Sequence, residues 1–465
     1  MKVVSSSIMF SLVSACFYVL LLLDFSTYTV SQSIVRHLPG FDGPLPFELE
    51  TGFVSVDDFN EVNLFYYFVK SENKPSEDPL IVWYTGGPGC SVLTAFAFEF
   101  GPLLLKVEKY NGSLPTLVSN THRWTKVANI IFLDAPVGTG YSYSRSWQGS
   151  YTSDTKSAKQ TYTFIRKWLI NHPEFLSNPL YVGGDSYSRK TVPIVAQDIS
   201  DGIFAWEPST DSEEESNSRI PFAHGMEIIS DELFEKNCHG NYANVDPHNT
   251  PCIEDVEAMS ECTSGLCIAH ILEPNCVVVS PKTTLTLRKR SKLEENASNN
   301  ILSTPATPGL ECRNYAYMLS YFWANDISMF ARHLTLKRFD KFYRLKFSEE
   351  STEEWVQCKK GGFNYLVDVE KSTQYHANLS KRNYRGDHDF MVPFLGTQTW
   401  IRSLNYSISE DWRPWIVEGQ IAGYTRTYTN NMTYATVKGA GHIAPEYKPK
   451  ECLSMVKRWL SYEPL

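Results

Sequence analysis

The sequence predicts an α/β protein: a mostly parallel central sheet with helices on both faces, interrupted by a helical, disulfide-tied insertion. Three observations carry this. Short apolar runs end abruptly in glycine-rich turns, helical patterns alternate with those runs, and six cysteines crowd between residues 222 and 315. Strands alternating with helices imply crossover connections and a parallel sheet.

Pro79 to Tyr84 (PLIVWY) is apolar throughout and stops at Gly86-Gly87-Pro88-Gly89. An apolar run without alternation, closed by turn residues, predicts a strand buried on both faces. Val127 to Leu133 ends the same way at Asp134-Ala135-Pro136, Leu180 to Val182 at Gly183-Gly184, and Thr433 to Val437 at Gly439-Ala440-Gly441. Thr155–Leu169, Val192–Ile199 and Cys452–Leu460 carry helical patterns. Two stretches break the alternation. In Ser200–Ser218 only Ile203 to Trp206 suits a sheet, and the rest is acidic. The residues before Asp387, Ser380 to Gly386, are polar. A core strand is expected to be missing from each, before Ile220 and before Asp387.

The N-terminal 31 residues stand apart. Lys2, the apolar stretch Ile8–Leu23 and the small residues around Thr29-Val30-Ser31 predict a cleaved secretory signal peptide. The stretch is shorter than the roughly 20 residues that span a bilayer, although an uncleaved anchor is the other reading. Nothing later is long and apolar enough to span a membrane. The secretory route implies oxidising conditions, which suit ten cysteines. With Cys16 in the signal, nine remain, so at least one is unpaired. Asn111, Asn296, Asn378, Asn405 and Asn431 are N-x-S/T acceptors for glycans. Lys and Arg number 43 against 52 Asp and Glu, a net charge of −9 that argues against nucleic-acid partners. No phosphate loop or zinc-type cysteine pair is present, so neither metal nor organic cofactor is expected. Aromatic residues at 14% supply a large core and an aromatic-lined pocket.

The chemistry gathers on four segments. Gly184-Asp185-Ser186-Tyr187-Ser188 lies between a short strand and a helix. A serine on so sharp a turn points its hydroxyl out of the sheet as a nucleophile. It needs a base, and His442 follows a strand among small residues near the C-terminus. An acid between them in chain order is supplied by Asp387, with Asp389 as its rival. Thr85 to Gly89 can aim backbone N–H groups at a developing oxyanion.

Together TGGPGCS (Thr85–Ser91), FLDAPVGTGYSY (Phe132–Tyr143), GGDSYS (Gly183–Ser188), WAND (Trp323–Asp326), GDHDFMVPFLGTQTWI (Gly386–Ile401), QIAGYTR (Gln420–Arg426) and KGAGHIAPEY (Lys438–Tyr447) resemble the serine carboxypeptidase family of the α/β-hydrolase fold, over about 35–465. They are most similar to its plant acyltransferase-like branch, whose members move an acyl group from a 1-O-glucose ester to an alcohol or amine, usually in the vacuole. The resemblance implies a triad of Ser186, Asp387 and His442, with oxyanion donors at the N–H of Gly87 and Tyr187. It places Thr85, Gly86, Glu99 and Asp185 at the substrate. Peptidases of the family carry Asn and Glu where this chain has Thr85 and Asp185, while Glu99 is retained. It also implies disulfides Cys90–Cys358, Cys238–Cys252 and Cys276–Cys312; Cys262 and Cys267 can then pair, leaving Cys452 free.

The hydrolase domain is expected at 32–221 and 316–465 and the cap at 222–315, with a polar loop at about 281–308. The basic Leu287–Arg290 run in that loop predicts proteolytic processing to two disulfide-linked chains. The expected partners are an acyl-glucose donor and an acceptor. Two other functions remain open: a carboxypeptidase, or an inactive or mis-spliced paralogue lacking the two strands. Arg189 and Lys190 favour the latter, because they place two cations against the dipole of the helix that follows Ser186, where the family has Gly after Ser188.

Overall fold

The computed structural model describes residues 31–106, 116–199, 205–206, 212–234, 237–273, 357–359, 364–372, 375, 381–429 and 432–465. Strands β1 (Ser31–Val35), β2 (Leu49–Asp57), β3 (Val62–Val69), β4 (Leu80–Tyr84), β5 (Asn129–Leu133) and β6 (Leu180–Gly184) form a sheet in the order β1-β2-β3-β5-β4-β6. The first three are antiparallel, whereas β5, β4 and β6 run parallel. Beside β6 lies β7 (Ala205–Trp206), which pairs in parallel with β8 (Lys381–Gly386). A hairpin of β9 (Ile408–Val417) and β10 (Gln420–Tyr428) continues to β11 (Thr433–Val437), and β11 pairs in parallel with β8. The result is the mixed, mostly parallel sheet of the α/β-hydrolase fold.

Alternate residues of each strand enter opposite cores, as a period of two requires. Phe65, Tyr67, Ile81, Trp83, Ile130 and Phe132 face one side. There they meet Met455, Val456 and Trp459 of the C-terminal helix Pro449–Leu460. Leu64, Tyr66, Phe68, Val82, Ile131 and Val182 face the other, against helices α1 (Asp154–Asn171) and α2 (Ser188–Ile199). This two-sided burial is why the strands read as unbroken apolar runs. Helix α1 starts where Ser153 accepts a hydrogen bond from the Lys156 N–H, a side-chain cap worth about 1 kcal/mol.

Several expectations need correction. The strand thought missing before Asp387 is present: the backbone of Lys381–Gly386 pairs with Thr433–Val437 despite its polar sequence. Of the stretch before Ile220, Ala205–Trp206 does enter the sheet. The acidic run from Ser212 starts a helix, Ser212–Gly225, that crosses the expected cap boundary at 222. Helix Thr250–Thr263 follows, capped by the Asn249 side chain. Cys90–Cys358 and Cys238–Cys252 are bonded as expected. Cys262 is exposed and Cys267 buried, and they are not bonded to each other. Cys452 is packed in the core. Residues 1–30 of the expected signal segment 1–31, Cys276, Cys312, the 281–308 loop, Trp323–Asp326, Asn111, Asn296, Asn378 and Asn431 lie outside the described residues, whereas Asn405 is exposed. Among the described residues no helix is long and apolar enough to cross a membrane.

One buried ion pair far from the candidate site makes stability depend on pH. At the end of α1, His172 Nδ1 donates to the Trp168 carbonyl at 2.9 Å, and Nε2 lies 3.0 Å from Glu50 Oε1. Nδ1 faces a carbonyl and Nε2 a carboxylate, with the Gln32 amide 3.1 Å from Nε2; protons on both nitrogens serve the two acceptors. Burial alone pushes the His172 pKa down, but the Glu50 carboxylate and the Trp168 carbonyl outweigh it, and the net shift is upward. A raised histidine pKa gives stability that is complete below about 6.5, the ordinary value, and is lost as pH rises through the folded value. His172→Gln is therefore expected to lower the melting temperature by roughly 2–4 °C at pH 5, with the difference shrinking on the alkaline side. A constant difference from pH 5 to pH 9 would contradict this.

Candidate active site

At the end of β6 the chain turns sharply into α2, and Ser186 sits on that turn with φ of 52°. A left-handed serine is strained, and close backbone packing holds it there. A Cβ on Gly184 would lie 2.2 Å from Ser188 Oγ and 2.4 Å from the Tyr84 carbonyl oxygen, so only glycine lets β6 and α2 approach this closely. Ser188 and Lys190 N–H groups donate to the Asp185 and Tyr187 carbonyls, starting the helix at once. Arg189 and Lys190 fit without breaking it. Both are buried, and the Lys190 ammonium donates to the Val369 carbonyl at 3.2 Å while lying over the Tyr187 ring.

His442 lies on the turn after β11, with Nε2 3.0 Å from Ser186 Oγ. Its Nδ1 is 2.9 Å from Asp389 Oδ2. The expected acid, Asp387, is thus displaced by its rival. Asp387 is the first residue past β8, and its Oδ1 accepts a 2.6 Å hydrogen bond from the Gly439 N–H. It is therefore committed to the backbone at the base of the histidine turn. Two residues on, Asp389 is fully buried, with Oδ1 accepting from the Val392 N–H at 3.0 Å and Oδ2 left for the imidazole. Serine, imidazole and carboxylate stand in the order needed to pass a proton from hydroxyl to imidazole.

The turn Thr85–Gly89 packs directly on this elbow. A Cβ on Gly86 would sit 2.2 Å from the Tyr187 backbone nitrogen. Gly87 has φ of +117°, a conformation glycine adopts readily. The turn is fixed from outside by Cys90–Cys358 and by backbone bonds from Ser91 N–H to the Gln357 carbonyl and from Lys359 N–H to the Gly89 carbonyl. From below, Asp134 accepts from Ser91 Oγ at 2.7 Å and from the N–H groups of Val92 and Tyr141. Burial pushes the Asp134 carboxyl up to about 6. The two backbone segments expected to supply the oxyanion donors, Gly86-Gly87 and Ser186-Tyr187, therefore abut each other.

Thr85 and Asp185 are buried side by side at this turn, and Glu99, at the end of the helical turn Ala95–Glu99, is buried as well. Burial pushes the Asp185 carboxyl up to about 6, against the pull of His442 and of the neighbouring Thr85 and Trp83 side chains. The sequence pointed to Ser186, His442, Gly86, Gly87, Tyr187, Thr85 and Asp185, and the structure brings these together. It missed Asp154. Its buried carboxylate accepts from Tyr187 Oη at 2.8 Å, Tyr365 Oη at 2.7 Å, and the Asp368 and Val369 N–H groups at 3.0 Å each. The carboxylate thus anchors the residue after Ser186. An aspartate at the first position of a helix carries no sequence signal for such a role, because that position favours Asp in any helix. Among the described residues no cluster of three metal-ligating side chains occurs.

Comparison with known proteins agrees with this geometry. Residues 39–462 match the serine carboxypeptidase family. Serine carboxypeptidase-like 13 of Arabidopsis thaliana is 48% identical over 462 residues, covering 96% of this chain and 98% of that protein. Serine carboxypeptidase-like 2 of the same plant is 47% identical, covering 94% of each. The crystal structure of Kex1(delta)p, a prohormone-processing carboxypeptidase from Saccharomyces cerevisiae, superposes with a TM-score of 0.65 over 92% of this chain and 95% of that one, at 18% identity. That likeness is one of fold. With the nucleophile elbow, the buried carboxylate–imidazole pair and a match over nearly its whole length, the chain belongs to the serine carboxypeptidase family.

Proposed function

We propose that the protein is an acyltransferase that moves an acyl group from a 1-O-glucose ester to an alcohol or amine. Ser186 Oγ attacks the ester carbonyl as His442 Nε2 takes its proton, and Asp389 stabilises the imidazolium. The N–H groups of Gly87 and Tyr187 receive the oxyanion. Glucose leaves with the proton from His442, which then deprotonates the acceptor as it attacks the acyl-enzyme. These steps need neither metal nor organic cofactor.

The observation that carries acyl transfer over peptide hydrolysis is the pair Thr85 and Asp185 beside the oxyanion turn. Where the family's peptidases carry Asn and Glu, a hydroxyl and a shorter, buried acid change the shape and hydrogen-bonding of the acceptor side of the pocket. Buried Glu99 favours the second reading, a carboxypeptidase, because the family's peptidases use it for the terminal carboxylate. Secretion to the vacuole or the cell exterior, glycosylation and two-chain processing belong to the same proposal, on the sequence features that predict them.

The test incubates purified protein with acyl-glucose donors and a panel of alcohols and amines. Transfer is expected, and Ser186→Ala should lower it by several orders of magnitude. Hydrolysis of blocked dipeptides with no transfer would select the carboxypeptidase reading. Transfer undiminished in Ser186→Ala would overturn the site.

A further inference from the structure

The cap meets the catalytic loops as a clamp. Residues Ile268–Ile271 run between the loop that carries Asp389 and the loop that carries His442. The Ile268 carbonyl accepts from the N–H groups of Phe390 at 3.1 Å and Met391 at 2.8 Å. One residue on, the Ala269 carbonyl accepts from the His442 N–H at 2.7 Å. The Ile271 N–H then donates to the His388 carbonyl at 3.2 Å. Four backbone bonds thus tie one cap segment to both partners of the 2.9 Å Asp389–His442 bond. The approach is close: a Cβ on Gly441 would come within 2.3 Å of the Ala269 oxygen and 2.9 Å of His270 Cβ.

The His270 ring is the side-chain wedge of this segment. It is buried, with its centroid 5.1 Å from that of His388 on the acid loop and 4.7 Å from that of Tyr447 beyond the base loop. Its Nδ1 accepts from the Leu272 N–H at 3.2 Å, so the proton of the neutral ring is on Nε2, toward Gly439. Burial and the neighbouring His388 both disfavour its cation, while Glu273 opposes them. Asp387 faces His388 from the other side at 4.0 Å.

We propose that His270 is a positioning residue: from the cap, it holds the Asp389 and His442 loops at hydrogen-bonding distance without touching substrate. This rests on the reading of Ser186, Asp389 and His442 as the catalytic groups. If the cap were only a cover over the site, changes inside this segment would alter substrate binding or folding. If it clamps the triad, they alter the chemical step for every substrate.

The experiment uses the full chain and two probes that ignore acceptor specificity: a fluorophosphonate that labels active serines, and a p-nitrophenyl ester. In His270→Ala, kcat per labelled site is expected to fall roughly 10- to 100-fold, as small misplacements of catalytic groups do, with KM within about twofold. The acid limb of the pH profile should move down by roughly half a unit, because a longer Asp389 contact stabilises the imidazolium less. His270→Asn, whose amide oxygen can replace the Nδ1 acceptor, should recover most of the rate. It also gives the readout if the alanine variant does not fold. Wild-type kcat per site and pH profile in both variants would overturn the clamp, as would a change confined to KM or to the number of labelled sites. Labelling of Ser186→Ala protein at the wild-type rate would overturn the active-site reading, and the clamp with it.

Discussion

Asparagine at position 389 is expected to lower kcat by about four orders of magnitude, as loss of the orienting carboxylate does in other serine triads, while asparagine at 387 should lower it less than about tenfold. The two aspartates are two residues apart, but their carboxylates face different partners. Asp389 Oδ2 contacts His442 Nδ1, and its other oxygen is held by the Val392 N–H. An amide there can present –NH₂ to the imidazole and force the wrong tautomer, with Nδ1 an acceptor and Nε2–H facing Ser186, unable to take its proton. Asp387 accepts from the Gly439 N–H, and an asparagine oxygen can accept the same bond. Burial already pushes the Asp387 pKa up, so losing its charge removes little. The measurement is kcat per titrated serine for both variants, with thermal denaturation to show each is folded. Equal losses, or the larger loss at 387, would return the acid to Asp387.

The same pair shows where the sequence stops being informative. Ser186, His442 and the glycine turn were legible because each lies at the end of an apolar strand, and strand ends can be read from apolar runs stopped by glycine. The acid lies past β8, whose sequence is Lys381-Arg382-Asn383-Tyr384-Arg385-Gly386. No hydrophobic run marks that strand, because its place is set by backbone pairing to Thr433–Val437. Without a visible strand end, chain order could not choose between Asp387 and Asp389; the geometry of the turn after Gly386 does. Helix Ser212–Gly225 was hidden likewise by acidic residues in its first turns. Contacts made across long separations, such as Asp154 with Tyr187 and Tyr365, or Ala269 with His442, leave no local pattern at either end.

Gly86→Ala is expected to lower kcat by about 10³-fold or more, a larger loss than removal of a single oxyanion donor, which costs roughly 10²–10³. The added methyl would lie 2.2 Å from the Tyr187 nitrogen, 2.9 Å from the Asp185 carbonyl oxygen and 2.9 Å from Ser186 Cβ. Two of these are backbone atoms of the elbow, so no side-chain rotation relieves the contact. The elbow is fixed by β6 and α2, and the turn by the Cys90–Cys358 bond and the Ser91 and Lys359 backbone bonds. One segment must nevertheless yield by about an ångström, and either movement separates the Gly87 and Tyr187 amides. Both donors are lost together, along with the angle from which Ser186 attacks, whereas the acceptor side at Thr85 and Asp185 still binds, so KM should change far less than kcat. Overpacking of this kind also lowers stability by about 1–3 kcal/mol. Gly419→Ala is the control: its φ is +76°, and nothing lies within 4 Å of an added Cβ. The same methyl there strains a hairpin turn between β9 and β10, and kcat should stay at the wild-type value. A Gly86→Ala protein with wild-type kcat per titrated serine would mean that the turn does not supply the oxyanion donors.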